Sequence, residues 1–105
     1  MDLNAIETML KGLRDNDGLT LKKSKPVTYK TGYQVASDGV EVRDILEAAA
    51  AIIKYNGNCG VWLSNGIYYI DNSHRIRTKK EATKLGHEWN QLSIFDWKKS
   101  ALIWM

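Results

Sequence analysis

The chain has 105 residues, 44% hydrophobic and 26% charged, which suits one globular domain with a single core and excludes two. A lone cysteine, Cys59, excludes an internal disulfide, and with two histidines no Cys/His set reaches the three or four spaced ligands of a zinc site. The net charge is +3, the N-terminal stretch MDLNAIETMLKGLRDNDG mixes acids with its apolar residues unlike a signal peptide, and no apolar run nears the roughly 18 residues of a membrane span. The reading is a cytoplasmic protein with no membrane partner, metal or cofactor.

Residues 1–17 read as an N-terminal helix, with Ile6, Met9, Leu10 and Leu13 at helical spacing and Asp15-Asn16-Asp17-Gly18 as its stop. GLTLKKSKPVTYKTGYQVAS then reads as two strands around a Ser24-Lys25-Pro26 turn, so residues 18–31 supply extra strand. RDILEAAAAIIKY is a helix closed by Asn56-Gly57, with Asp44 and Glu47 spaced as a capping box. GVWLSNGIYYI is a hairpin turning at Asn65-Gly66, a pair that tolerates the positive φ angles of a tight turn. TKKEATKLGHEWNQ is a further helix, with Thr78 and Glu81 as its capping box. LSIFDW and ALIWM close the chain as a last hairpin, residues 99–105 holding its final strand.

One offset of 34 residues, which carries Gly32 onto Gly66, also carries Asp44 onto Thr78, Glu47 onto Glu81, Tyr55 onto Trp89 and Asn56 onto Asn90. Residues 32–98 then become strand, helix, strand, strand, helix, strand. That is the βαββαβ (split βαβ) order of a ferredoxin-like antiparallel sheet, so the predicted class is α+β with an added N-terminal helix and flanking strands. The strands are apolar or aromatic at both parities, so both sheet faces call for cover. The helices hide one; the N-terminal helix, a second subunit or a ligand covers the other.

Charge is distributed in blocks. Residues 18–37 contain Lys22, Lys23, Lys25 and Lys30 and no acid, and residues 72–84 contain Arg75, Arg77, Lys79, Lys80 and Lys84 against Glu81. Such blocks mark an anionic partner or a solvated lysine-rich surface, and Lys22, Lys23 and the second block are the candidate partner-binding residues. Trp62, Tyr69 and Trp97 lie on predicted strands, where they either stack bases in the manner of an open-sheet nucleic-acid module or pack a core; core packing is the preferred reading.

No residue is assigned a catalytic role. The Asn65-Gly66 turn places Cys59 opposite Asn72 and beside Asp71, with His74 two residues on, so a Cys/His/Asp cluster is conceivable. Yet Cys59 follows a helix C-terminus, whose dipole disfavours a thiolate, and a small, partly buried residue is the preferred reading. His87 has no metal-pairing histidine at helical spacing, and GNCG lacks the spacing and the following helix of a phosphate loop.

GNCGVWLSNGIYYID followed by TKKEATKLGHEWNQLSIFDWKK, with NQLSIFDW carrying most of the likeness, resembles small phage, prophage and mobile-element proteins of Gram-positive bacteria. The resemblance covers about the last half of the chain and contains no catalytic motif. It implies a protein that acts in the bacterial cytoplasm by binding and inhibiting a host defence complex, as anti-CRISPR proteins do, with a host protein or nucleoprotein complex as partner. The alternative is a nucleic-acid or nucleotide-binding module using the basic blocks and sheet aromatics. ALIWM, a hydrophobic strand with no charge after Lys99, invites edge pairing and predicts a homodimer.

Overall fold

The computed structural model describes residues 3–105. Three helices, α1 (Leu3–Lys11), α2 (Ile45–Lys54) and α3 (Lys79–Glu88), accompany seven strands: β1 (Gly18–Lys22), β2 (Lys25–Pro26), β3 (Tyr33–Val42), β4 (Cys59–Ser64), β5 (Ile67–Ile76), β6 (Ser93–Asp96) and β7 (Ala101–Trp104). The strands form one antiparallel sheet in the order β2-β1-β4-β5-β3-β6-β7. The fold is therefore α+β, with a sheet larger than the four strands of a split βαβ unit.

Local chemistry fixes the turns. Asn65 and Gly66, at φ 52° and 75°, form the β4–β5 turn, and the register that follows sets Cys59 against Asn72 and Gly60 against Asp71. The β1–β2 turn lies at Lys23-Ser24, both at positive φ, rather than at Ser24-Lys25-Pro26. It is held there because the Ser24 N–H donates to the Gly57 carbonyl at 2.9 Å and the Lys23 N–H to Asn58 Oδ1 at 3.3 Å. A Cβ on Gly57 would run into the Ser24 backbone. The expected long partner of β1 shrinks to two residues, since Pro26 has no N–H to continue a ladder. The strand containing GYQVAS instead runs on to Val42 in the middle of the sheet.

The 34-residue offset carries β3 onto β5 and α2 onto α3, end for end, and the start of β4 onto the start of β6. Both helix exits close alike. Asn56 and Asn90 sit at φ 55° and 54°, and the N–H groups of Gly57 and Gln91 reach back to the carbonyls of Ile52 and Gly86. The entrances differ: Thr78 Oγ1 accepts from the Glu81 N–H at 3.3 Å, whereas the Asp44 side chain makes no cap bond. The first of the two expected capping boxes is thus absent.

All three helices serve one face of the sheet. Ile6 and Leu10 of α1 and Ala48, Ala49 and Ile52 of α2 pack with Leu21, Cys59, Val61 and Ile70. Ala82 of α3 packs with Val35 and Ile94, and Val35 stands opposite His74, which shares its parity with Ile70. A bulge in β3 makes this continuous: Ser37 and Asp38 fall between the pairs Ala36–Ser73 and Gly39–Asp71, opposite Asn72 alone. The extra residue resets the alternation so that Val35, Val40 and Val42 all point to the helices. α1 joins that layer by packing on α2, so it does not cover the second face.

Candidate functional site on the open face of the sheet

The uncovered face is built from alternate residues of the same strands. Along β5 this face carries Tyr69, Asp71, Ser73 and Arg75, between the inward Tyr68, Ile70, Asn72, His74 and Ile76, with Ser73 itself buried beside Gln34. Trp62 stands across from Tyr69, their rings 5.8 Å apart, and is 50% exposed. A second ring group forms where β6 ends: Trp97 meets Phe95 edge-on at 4.9 Å and Tyr29 at 5.4 Å. Trp97 Nε1–H donates to Gln34 Oε1 at 2.9 Å, and Gln34 Nε2 donates to Ser73 Oγ at 2.7 Å, so the indole is fixed by a polar relay on this face.

Trp62, Tyr69 and Trp97, the three stacking candidates, line one cleft of about 460 Å³ together with Phe95, Asp71 and Gly60. The segment after β2 contributes Val27 and Thr28 to its wall. The structure divides the strand aromatics: Tyr33 and Tyr68 pack against the core, as the core reading expects, whereas Trp62, Tyr69, Phe95 and Trp97 do not. Of four Trp, five Tyr and one Phe, Tyr55 alone is buried. The small residues Ala48, Ala49, Ala51 and Ala82 let α2 and α3 approach closely, so mainly aliphatic side chains fill the centre of the core, with Tyr68, Tyr33 and Trp89 packed at its margins.

Between the two ring groups lies a trough. Asp71 has a glycine as its cross-strand neighbour on each side, Gly60 in β4 and Gly39 in β3. A Cβ at Gly60 would come within 2.8 Å of Asp71 Oδ1, and one at Gly39 within 3.2 Å of the Asp71 Cβ. Asp71 accepts the Gly60 N–H at 3.2 Å, its only side-chain hydrogen bond among the described residues. It is the one residue common to three adjoining hollows of this face. Desolvation raises its pKa to about 6; the Gly60 N–H opposes that rise and the charge of Asp38 adds to it. Sequence reasoning noticed Asp71 only as a neighbour of Cys59. The hairpin register that pairs it with Gly60 is the signal that its carboxyl lies over a glycine.

The basic residues gather mainly at one end of the sheet, because antiparallel pairing brings the β1–β2 turn, the end of β5 and the β6–β7 turn to the same side. Lys22 and Arg75 line one hollow of about 670 Å³ there, which unites the two basic blocks. Lys23 sits in the adjacent turn, Arg77 follows β5, and Lys79 and Lys80 open α3, all four exposed. Lys84 lies a turn farther along α3 and is not part of this cluster. Arg75 also holds the fold: its Nε and Nη2 donate to the Thr31 carbonyl at 3.1 and 2.9 Å, and its guanidinium lies 4.8 Å from the Tyr29 ring centre. At the opposite end the β4–β5 turn is tied to Asp15 and Asp17, through the Asn65 N–H and the Leu63 N–H respectively.

The conceivable Cys/His/Asp cluster is split by the sheet. Cys59 and His74 belong to the helix face and Asp71 to the open face, as strict alternation requires. Cys59 is fully buried, and burial, then the charge of Asp71, pushes its thiol up to about 12. His74 packs against Trp89, their rings tilted and 5.2 Å apart, with its Nε2 3.2 Å from Ser37 Oγ. His87 is exposed on α3. Among the described residues no group of three or more His, Cys, Asp or Glu is placed to share a metal ion, and no helix is long and apolar enough to cross a membrane. No family model, curated protein or solved structure matches the chain.

Proposed function

We propose that this protein is a non-enzymatic binding module that takes single-stranded nucleic acid on its open sheet face, bases on the rings and phosphates along the basic end. The observation that carries this reading is the convergence of Trp62, Tyr69 and Trp97 on one uncovered cleft. Aromatic faces accept any base, and the lysines and arginines at the sheet end add the charge that phosphates require. Titration with fluorescent oligo-dT tests it. Affinity falls steeply as salt rises, and reversing Arg77, Lys79 and Lys80 to Glu flattens that dependence, by about one unit of slope per lost phosphate contact. Trp62→Ala weakens binding by about 1–3 kcal/mol. Absence of oligonucleotide binding at low salt removes the proposal.

A host-defence inhibitor remains the second reading, and the β7 edge favours a protein partner there. Leu102 and Trp104 are 51% and 71% exposed, on an outer strand without charge, whereas the opposite edge is the two-residue β2 ended by Pro26. The same edge supports a homodimer through β7. Light scattering at rising concentration distinguishes a pair from the 11.9 kDa chain, and Trp104→Lys returns a pair to monomers. A species that stays at 11.9 kDa at every concentration removes the dimer.

We also infer that β3-α2-β4-β5-α3-β6 is a ferredoxin-like core, to which α1, β1, β2 and β7 are additions. The internal order β4-β5-β3-β6 supports it: β5 lies between β3 and β4, which are joined through α2. An experimental structure with β5 elsewhere removes this inference.

A further inference from the structure

We infer that the glycine-walled trough over Asp71 is a guanine subsite. The inference rests on the nucleic-acid reading above and adds to it a base preference with a named residue.

The trough has the shape for a ring edge. The Asp71 carboxyl lies over Gly60, and neither Gly60 nor Gly39 raises a side chain beside it, so the carboxyl is reached from the adjoining cleft by the edge of a planar group. Trp62 and Tyr69 stand one pleat away along β4 and β5 and supply the apolar faces against which such a ring stacks. A side chain on either glycine would close this approach, and at Gly60 it would strike the carboxyl oxygen itself.

The chemistry of the carboxylate then selects among bases. An ionised carboxyl only accepts hydrogen bonds, and its two oxygens match a pair of adjacent donors. Guanine presents N1–H and the N2 amino group side by side on its Watson–Crick edge. Adenine and cytosine place one amino group beside a ring nitrogen acceptor, which would face a carboxylate oxygen repulsively, and thymine and uracil flank one N–H with two carbonyls. Asp71 Oδ1 takes the Gly60 N–H, and the carboxylate keeps lone pairs for the ligand. An arginine side chain of a protein partner also carries paired donors, but the basic sheet end formed by Lys22, Lys23, Arg77, Lys79 and Lys80 repels a cationic peptide and attracts the phosphates of a nucleotide.

The test is tryptophan fluorescence titration of the whole protein with 5′-GMP, 5′-IMP, 5′-AMP and arginine amide at pH 7.5, beside eight-residue oligo-dT and its counterpart with one central guanine. The expected result is that GMP binds at least about tenfold more tightly than IMP, which lacks the N2 amino group, and more tightly still than AMP. The guanine-containing oligonucleotide gains a similar factor over oligo-dT. Asp71→Asn, which replaces one acceptor oxygen with a donor, brings GMP affinity down to that of AMP, and a thermal transition at or above that of the wild type shows that the loss is not one of folding. Equal affinity for GMP, IMP and AMP, or binding of arginine amide in place of GMP, overturns the guanine assignment. If oligo-dT binds with its salt dependence and no base preference appears, the sheet-face reading stands and this one falls. If no oligonucleotide or nucleotide binds, both fall.

Discussion

The two faces of β5 are made from neighbours in sequence and share no task. Tyr68, Ile70, Asn72, His74 and Ile76 meet the helices, while Tyr69, Asp71, Ser73 and Arg75 face outward beside two glycines and two ring groups. On the inner face small and aliphatic side chains fill the centre, with Tyr68 and Tyr33 at its margins, so α2 lies close. On the outer face large rings stand half-exposed around a carboxyl whose pKa is raised by its loss of water. Large aromatic residues are normally the cheapest way to bury area in a small domain. Here Tyr55, Tyr68, Tyr33 and Trp89 pack in or against the core, while Trp62, Tyr69, Phe95 and Trp97 stand on the other face around a desolvated carboxyl.

The sharpest way to break this comparison is a pair of adjacent substitutions. Ile70→Ala empties a fully buried position against α2 and is expected to cost about 2–5 kcal/mol in denaturant unfolding. Tyr69→Ala, one residue away on the other face, is expected to cost well under half of that while weakening oligonucleotide binding. Equal stability losses would mean that the open face is a second core.

A smaller effect tests the carboxyl. The folded pKa of Asp71, about 6, lies above the ordinary carboxylate value of 3.8 that the unfolded chain retains. The folded state therefore binds its proton more tightly. The stability tied to that proton is present in full below about pH 4 and lost as pH rises through 6. Asp71→Asn removes the penalty. It is expected to stabilise the protein by up to about 3 kcal/mol at pH 7.5, from ~1.4 kcal/mol per pH unit of displacement, and by little at pH 4. The Asn side-chain carbonyl still accepts the Gly60 N–H. A variant less stable than the wild type at pH 7.5 would show that the fold needs the charge.

The smallest expected effect is at Cys59. Its thiol, buried on the inner face and pushed up to about 12, is expected to resist alkylation in the folded protein at pH 7.5 and to react only on unfolding. Rapid modification of the native chain by iodoacetamide, followed by mass spectrometry, would contradict the assignment of Cys59 to the core.

Much of the fold was legible in the sequence because short-range chemistry wrote it. Asn65-Gly66 fixed one hairpin and its register, Asn56 and Asn90 ended two helices alike, and the 34-residue offset mapped each half of residues 32–98 onto the other. The candidate site was legible in pieces. Trp62, Tyr69 and Trp97 were named, and the hairpin register alone set Gly60 against Asp71. Whether those rings lay in a core or on a surface was decided by which face the helices chose. That choice depended on the alanines of α2 and on the bulge at Ser37 and Asp38, a one-residue insertion that sequence alternation alone does not reveal. Gathering Lys22 with Arg75, and Phe95 with Trp62, took contacts more than thirty residues apart along the chain. The sequence by itself determined the elements, their turns and the pairing of β4 with β5, because those follow from backbone preferences a few residues long. Only the tertiary structure decided that one face of the sheet is left open around Asp71, because that depends on how the helices and the curled sheet divide the available apolar surface between them.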